Sequence, residues 1–175
     1  MINQIISWIQ ESTINKWIAI LCSCFLFQSF VETIGWLTNL PFEELLFNFF
    51  GLQNNFSWKI HSLLTYAFLH NGFFHFLFNV FTFYFSAYLL HTFWRGNQII
   101  RLFLAGILFG GISSLIASTL MQKPVIIVGA SAGIFSILFA ATRFSPRMSV
   151  YLFGVINVPL WSISLSLTLI SVTGL

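Results

Sequence analysis

The run GFFHFLFNVFTFYFSAYLLH, residues 72–91, contains no Lys, Arg, Asp or Glu over twenty positions. A helix that crosses the hydrocarbon core of a bilayer needs about 20 mostly apolar residues, so this run reads as a membrane span. Among its few polar side chains are His75 and Asn79. Ionisable and amide groups are costly at that depth and carry a presumption of function. Their spacing of four residues places both on one helical face, about 6 Å apart along the axis.

Composition extends the membrane reading to the whole chain. Of its 175 residues 58% are hydrophobic and 6% charged, with a mean hydropathy of +0.91. Soluble domains carry about a quarter of charged residues, so the pattern is that of a polytopic membrane protein. Seven Lys and Arg stand against four Glu and no Asp. They are scattered along the chain and offer no basic groove for nucleic acid. Cys22 and Cys24, two apart in an apolar helix, point to nearly opposite faces and suit neither a mutual disulfide nor a metal pair.

Further spans follow on either side. The first covers about Trp17 to Trp36, with tryptophans at both ends where interfacial aromatics belong and with Gln28 and Glu32 in its last turns. The third covers Ile99 to about Leu120, and the fourth, with its lead-in, Val125 to Thr142. After Arg147 comes an apolar stretch, Tyr151 to Ile156, then Pro159 and a final apolar run from Leu160. Ahead of the first span, residues 1–16 place Ile2, Ile5, Ile6 and Ile9 on one helical face and Gln4, Ser7 and Glu11 largely on the other. This is the pattern of an amphipathic helix lying on the membrane. The basic start of a cleaved signal peptide is missing there. Between spans one and two, Pro41-Phe42-Glu43-Glu44 predicts a helix start and Gly51 its stop. Its Leu and Phe residues suit the membrane interface.

A cytoplasmic N-terminus puts Lys16, Arg95, Arg101, Arg143 and Arg147 inside and only Lys59 and Lys123 outside, the split favoured by the positive-inside rule. The second span then descends from the outer face, with His75 and Asn79 in its outer half. The fourth enters from the same face, led by Gly129-Ala130-Ser131. Ser131 is therefore a candidate nucleophile at the depth of the His–Asn pair. Gly129 allows a tight turn and a close backbone approach, and the free N–H groups of a helix start favour a developing negative charge. His75 and Asn79 can add side-chain donors to one oxyanion site. A serine of ordinary acidity still needs a general base, for which histidine is the usual residue.

The stretch from Trp58 to Asn79, including His70-Asn71-Gly72-Phe73-Phe74-His75, closely resembles the second-span signature of the rhomboid intramembrane serine proteases. Gly129-Ala130-Ser131-Ala132-Gly133 resembles their nucleophile motif. The resemblance runs in order and spacing from about Trp17 to the C-terminus. It implies an all-α, rhomboid-like transmembrane helix bundle over residues 17–175, following the surface helix of residues 1–16. It also implies a serine-type endopeptidase that cleaves transmembrane segments of membrane-protein substrates. Ser131 would be the nucleophile, and His75 and Asn79 would line the oxyanion hole with the Ser131 backbone N–H. Gly129 would support the site, and His70 would stabilise its polar network. No metal or cofactor is called for. The setting expected is a bacterial inner membrane, with the site in its outer half; oligomeric state is not legible.

Three departures stand out. Ala132 follows the nucleophile where the family usually has Gly. His91, followed by Trp94-Arg95-Gly96, stands where many members place a Glu. The family's catalytic histidine sits on a sixth span, whereas no histidine here lies beyond His91. The final run from Leu160 is also shorter than a crossing. The expectation is five recognisable spans with the sixth missing, a C-terminally truncated chain with little turnover of its own. Alone, a His–Asn pair reads more readily as hydrogen-bond glue between helices than as catalytic, and Gly106, Gly110, Ser114, Gly129 and Gly133 are packing positions first. A non-proteolytic rhomboid-like protein binding client helices, or a fragment of a channel or transporter, are the other classes open. The joint occurrence of the motifs favours the protease.

Overall fold

A computed structural model of the chain describes residues 12–54, 59–122, 124–152 and 156–173. Residues 1–11 of the expected surface helix, Trp58 and Lys123 lie outside the described residues. Helix α1 spans Thr13–Thr38 and so takes in the last residues assigned to that surface helix. Ser12 caps it, its hydroxyl accepting the Asn15 N–H at 3.1 Å. Asn39 ends it in the left-handed conformation, φ 54°, with its N–H bonded to the Gly35 carbonyl. At 1.5 Å per residue the helix is about 39 Å long, enough to cross a bilayer with some tilt.

The short helix α2, Phe42–Phe50, forms where Pro41 and the two glutamates predict it and ends at Gly51. Strand β1, Leu52–Gln53, follows. The chain then makes the single turn α3, Ser62–Thr65, and a 3-10 turn, Tyr66–Phe68. Helix α4 is Phe73–His91 and α5 is Gly96–Leu120. Among the described residues α1, α4 and α5 are long and apolar enough to cross a membrane.

The lead-in to the fourth span is extended, not helical. Strand β2, Ile126–Ile127, pairs antiparallel with β1, Leu52 opposite Ile127, and α6 begins only at Ser131 and ends at Phe144. Pro124 and Gly129, at φ 108°, interrupt helix geometry in between. Similarly, the apolar stretch after Arg147 is a hairpin of β3, Ser149–Leu152, and β4, Ile156–Pro159, with Ser149 opposite Pro159. Short apolar runs carry no periodicity that separates strand from helix. Helix α7, Leu160–Thr173, closes the described chain.

Helix α6 lies innermost, packed by α4, α5 and α7. Its Ile134, Ile137, Leu138 and Ala141 are buried against Phe83 and Leu90 of α4 and Phe103 and Ile107 of α5. Phe83 and Phe103 meet edge to face at 4.9 Å. Outside this core Phe27, Phe30, Phe74, Phe78 and Phe109 are exposed, the apolar girdle that a lipid environment covers. Trp36 belongs to that girdle at 79% exposure. Trp17 does not. It turns inward, stacked on Phe68 at 6.3 Å and edge-on to Phe103 at 5.9 Å, because its ring fills the gap between α1 and these neighbours.

Close approach of α5 and α6 depends on glycine. A Cβ on Gly106 would lie 2.5 Å from Ser136 Oγ, and one on Gly110 would collide with the Ala132 methyl. The methyl that departs from the family pattern at position 132 thus occupies space left by Gly110. Overpacking such a contact typically costs about 1–3 kcal/mol. Gly110→Ala is expected to lower stability by that order, and Ala132→Gly to restore most of it in the double variant. A double-mutant cycle followed by denaturant unfolding in detergent micelles checks this; additive losses would refute the contact.

Candidate active site

Two helix starts build the site. Gly72, φ 93°, releases the chain into α4, whose first turn carries His75 and whose second carries Asn79. Gly129, φ 108°, releases it into α6, whose first residue is Ser131. Both glycines occupy a region of backbone space that other residues enter only with strain.

Of the residues singled out by spacing, His75 and Asn79 both come against Gly129, two residues before Ser131. A Cβ on Gly129 would sit 2.7 Å from His75 Cε1, 2.8 Å from His75 Nε2 and 3.8 Å from Asn79 Nδ2. The absent side chain of Gly129 is therefore what lets the His–Asn pair reach the peptide groups ahead of Ser131. Asn79 is buried, and one of its two amide hydrogens goes to the His75 carbonyl at 2.9 Å, which leaves the other to serve the site.

The tautomer of His75 follows from its partner. The Asn71 N–H donates to His75 Nδ1 at 3.3 Å, so Nδ1 accepts and the neutral ring carries its proton on Nε2. Nε2 is also the ring nitrogen beside Gly129. His75 thus presents a donor, not a proton acceptor, toward the start of α6.

At that start Ala130 offers no side-chain cap, and the first N–H bonded back along the helix is that of Ile134, to Ala130. The N–H groups of Ser131, Ala132 and Gly133 are the uncapped donors of a helix N-terminus, a setting that favours negative charge. Ser131 is half-buried, and its hydroxyl has no hydrogen-bond partner among the described residues. Arranged this way, the groups can surround an oxygen that gains charge next to Ser131 Oγ.

Sequence reading missed two residues that hold the arrangement. The Tyr66 carbonyl accepts the Gly129 N–H at 2.9 Å, and its phenol donates to the Ile107 carbonyl of α5 at 2.7 Å. Tyr66 is buried and ties the Ser131 turn to both neighbours. Asn71 acts through its backbone, which no residue letter announces.

The remaining histidines are elsewhere or boxed in. His70 is fully buried, its ring centroid 5.3 Å from that of His75 and 5.4 Å from that of Phe76. It joins the polar network through its backbone. His61 lies at the surface, 2.9 Å from the Phe49 carbonyl, and His91 closes the far end of α4, exposed.

The sequence from residue 57 to residue 175 matches the family model described as the Rhomboid domain. The chain belongs to the rhomboid family. It is an integral membrane protein with an all-α bundle, and Ser131 stands at the start of one of its helices. No curated protein and no solved structure matches it.

Within this rhomboid bundle a cleft of about 740 Å³ opens between the end of α1, α2 and the extended run before Gly129. Asn71 and Val128 are among the residues that line it. Gly129→Ala forces a positive φ on a Cβ residue, about 1–3 kcal/mol, and drives its methyl into the His75 ring. We expect a loss of unfolding free energy of at least that order in micelles; an unchanged denaturation midpoint would show that the ring does not sit against Gly129.

Proposed function

We propose that this rhomboid protein is an intramembrane serine endopeptidase, with Ser131 as nucleophile and His75, Asn79 and the Ser131 N–H as oxyanion donors. One observation carries the reading: His75 Nε2 and Asn79 Nδ2 converge on Gly129, two residues before a serine at an uncapped helix start. Ser131 Oγ attacks the scissile carbonyl of a membrane-spanning substrate segment, its proton passing to a base. The tetrahedral oxyanion is held by the three donors, the amine leaves with a proton, and water then hydrolyses the acyl-enzyme. His70, through its backbone, and Gly129 support the site.

None of the four histidines suits the role of base. His75 Nδ1 is taken by the Asn71 N–H, His70 is enclosed, and His61 and His91 lie away from Ser131. The base of this proposal is a group other than these four. The charge distribution supports a cytoplasmic N-terminus, with the site in the outer half of a bacterial inner membrane and product leaving on that side.

Fluorophosphonate labelling of the purified chain tests the assignment. Slow modification of Ser131, accelerated by added imidazole as a surrogate base and abolished in Ser131→Ala, is the expected pattern. Removing one oxyanion donor in comparable sites costs about 10²–10³ in rate, so Asn79→Ala should slow the imidazole-assisted labelling by that order. Equal labelling of the serine and alanine forms contradicts the nucleophile. Because none of the four histidines suits the role of base, a second reading stands beside the first, a non-proteolytic rhomboid-like protein that binds client helices. That reading gains if imidazole brings no labelling at all.

A further inference from the structure

Between the 3-10 turn and α4 the chain is neither helix nor strand, and His70 in this break is fully buried. Backbone polar groups at such a position need partners from elsewhere. Gln28 of α1 supplies them. Its side chain is 1% exposed; Oε1 accepts the His70 N–H at 3.0 Å and Nε2 donates to the His70 carbonyl at 2.6 Å. The carboxamide pairs with both polar groups of one residue, as a neighbouring strand would. Its second amide hydrogen goes to Glu32 Oε1 at 2.7 Å, one turn along α1. The Gly72 N–H also reaches the His70 carbonyl, at 3.0 Å.

The His70 carbonyl and the Asn71 N–H belong to one planar, trans peptide group, so their dipoles point in opposite directions across it. Whatever fixes the carbonyl toward α1 aims the N–H away from α1. That N–H is the group that donates to His75 Nδ1. We propose that Gln28 is a positioning residue for His75: by gripping the His70–Asn71 peptide it aims the Asn71 N–H at Nδ1 and keeps the imidazole proton on Nε2, facing Gly129. This rests on His75 being an oxyanion donor, as argued above, and extends the site to the first span, 42 residues upstream of His70.

A structural role alone would have Gln28 satisfy buried backbone without affecting the imidazole. The two roles separate in the ¹⁵N spectrum of the imidazoles, recorded on the histidine-labelled full chain in micelles at a pH where the rings are neutral, with His75 assigned by its loss in His75→Gln. In the unsubstituted protein His75 should be a single Nε2–H species; an Nδ1–H form there overturns the proposal outright. Gln28→Leu should bring in an Nδ1–H population with helix content unchanged by circular dichroism. Glu32→Gln, which still accepts from Gln28, should leave the spectrum as it was.

If Gln28→Leu does not fold, Gln28→Glu asks the same question across pH. Its protonated carboxyl has the same donor and acceptor and should retain the Nε2–H form, whereas ionisation removes the donor and should release it. A pure Nε2–H signal in folded Gln28→Leu, or in ionised Gln28→Glu, contradicts the positioning role. The spectrum needs no catalysis, so fluorophosphonate labelling judges the nucleophile separately: a labelled Ser131 with an unmoved tautomer sinks only the Gln28 proposal. A moved tautomer without labelling sinks only the proposed function.

Discussion

The hydrogen bond from the Gly129 N–H to the Tyr66 carbonyl joins two places where this chain departs from the α-helix inside an apolar bundle. Each departure exposes backbone donors and acceptors that hydrocarbon cannot satisfy, so each must find its partner in protein. Tyr66 answers one with its carbonyl and reaches α5 with its phenol, while Gln28 answers the other at His70. The consequence is geometric. Two helices start side by side, and the first two turns of α4 bring His75 and Asn79 against Gly129, just ahead of Ser131.

Glycine makes that approach possible at both ends of the contact. Gly129 lets His75 and Asn79 close on the peptide before Ser131, and Gly106, Gly110 and Gly133 let α6 sink against α5. A Cβ on Gly133 would lie 2.6 Å from the Phe103 ring, itself locked edge-on against Phe83. The turn that leads into Ser131 is thus backed by closely packed core, the kind of support that fixed donors require.

Much of this was legible in residue letters. Long, mostly apolar runs announced α1, α4 and α5, the spacing of His75 and Asn79 announced a shared face, and Pro41 with Gly51 bounded α2. The strands did not announce themselves. Val125 to Val128 and the hairpin after Arg147 are as apolar as any helix of the chain, and their pairing depends on partners far away in sequence. The contacts of Trp17 with Phe68 and Phe103 were not legible, because composition cannot tell which face of a helix a ring packs on. Asn71 and Tyr66 were missed because they hold the site through main-chain atoms, whose chemistry is the same in every residue. Gln28 was visible only as a polar interruption, and its meaning depends on a backbone break in another segment.

The central claim is that a charge developing on an oxygen bonded next to Ser131 Oγ falls among His75 Nε2, Asn79 Nδ2 and the Ser131 N–H. A structure of the protein phosphonylated at Ser131 measures this directly, since the phosphonyl oxygen stands where the oxyanion would. The account predicts that oxygen at roughly 2.7–3.1 Å from all three donors. A phosphonyl oxygen turned away from His75 and Asn79, toward lipid or the open cleft, would contradict it.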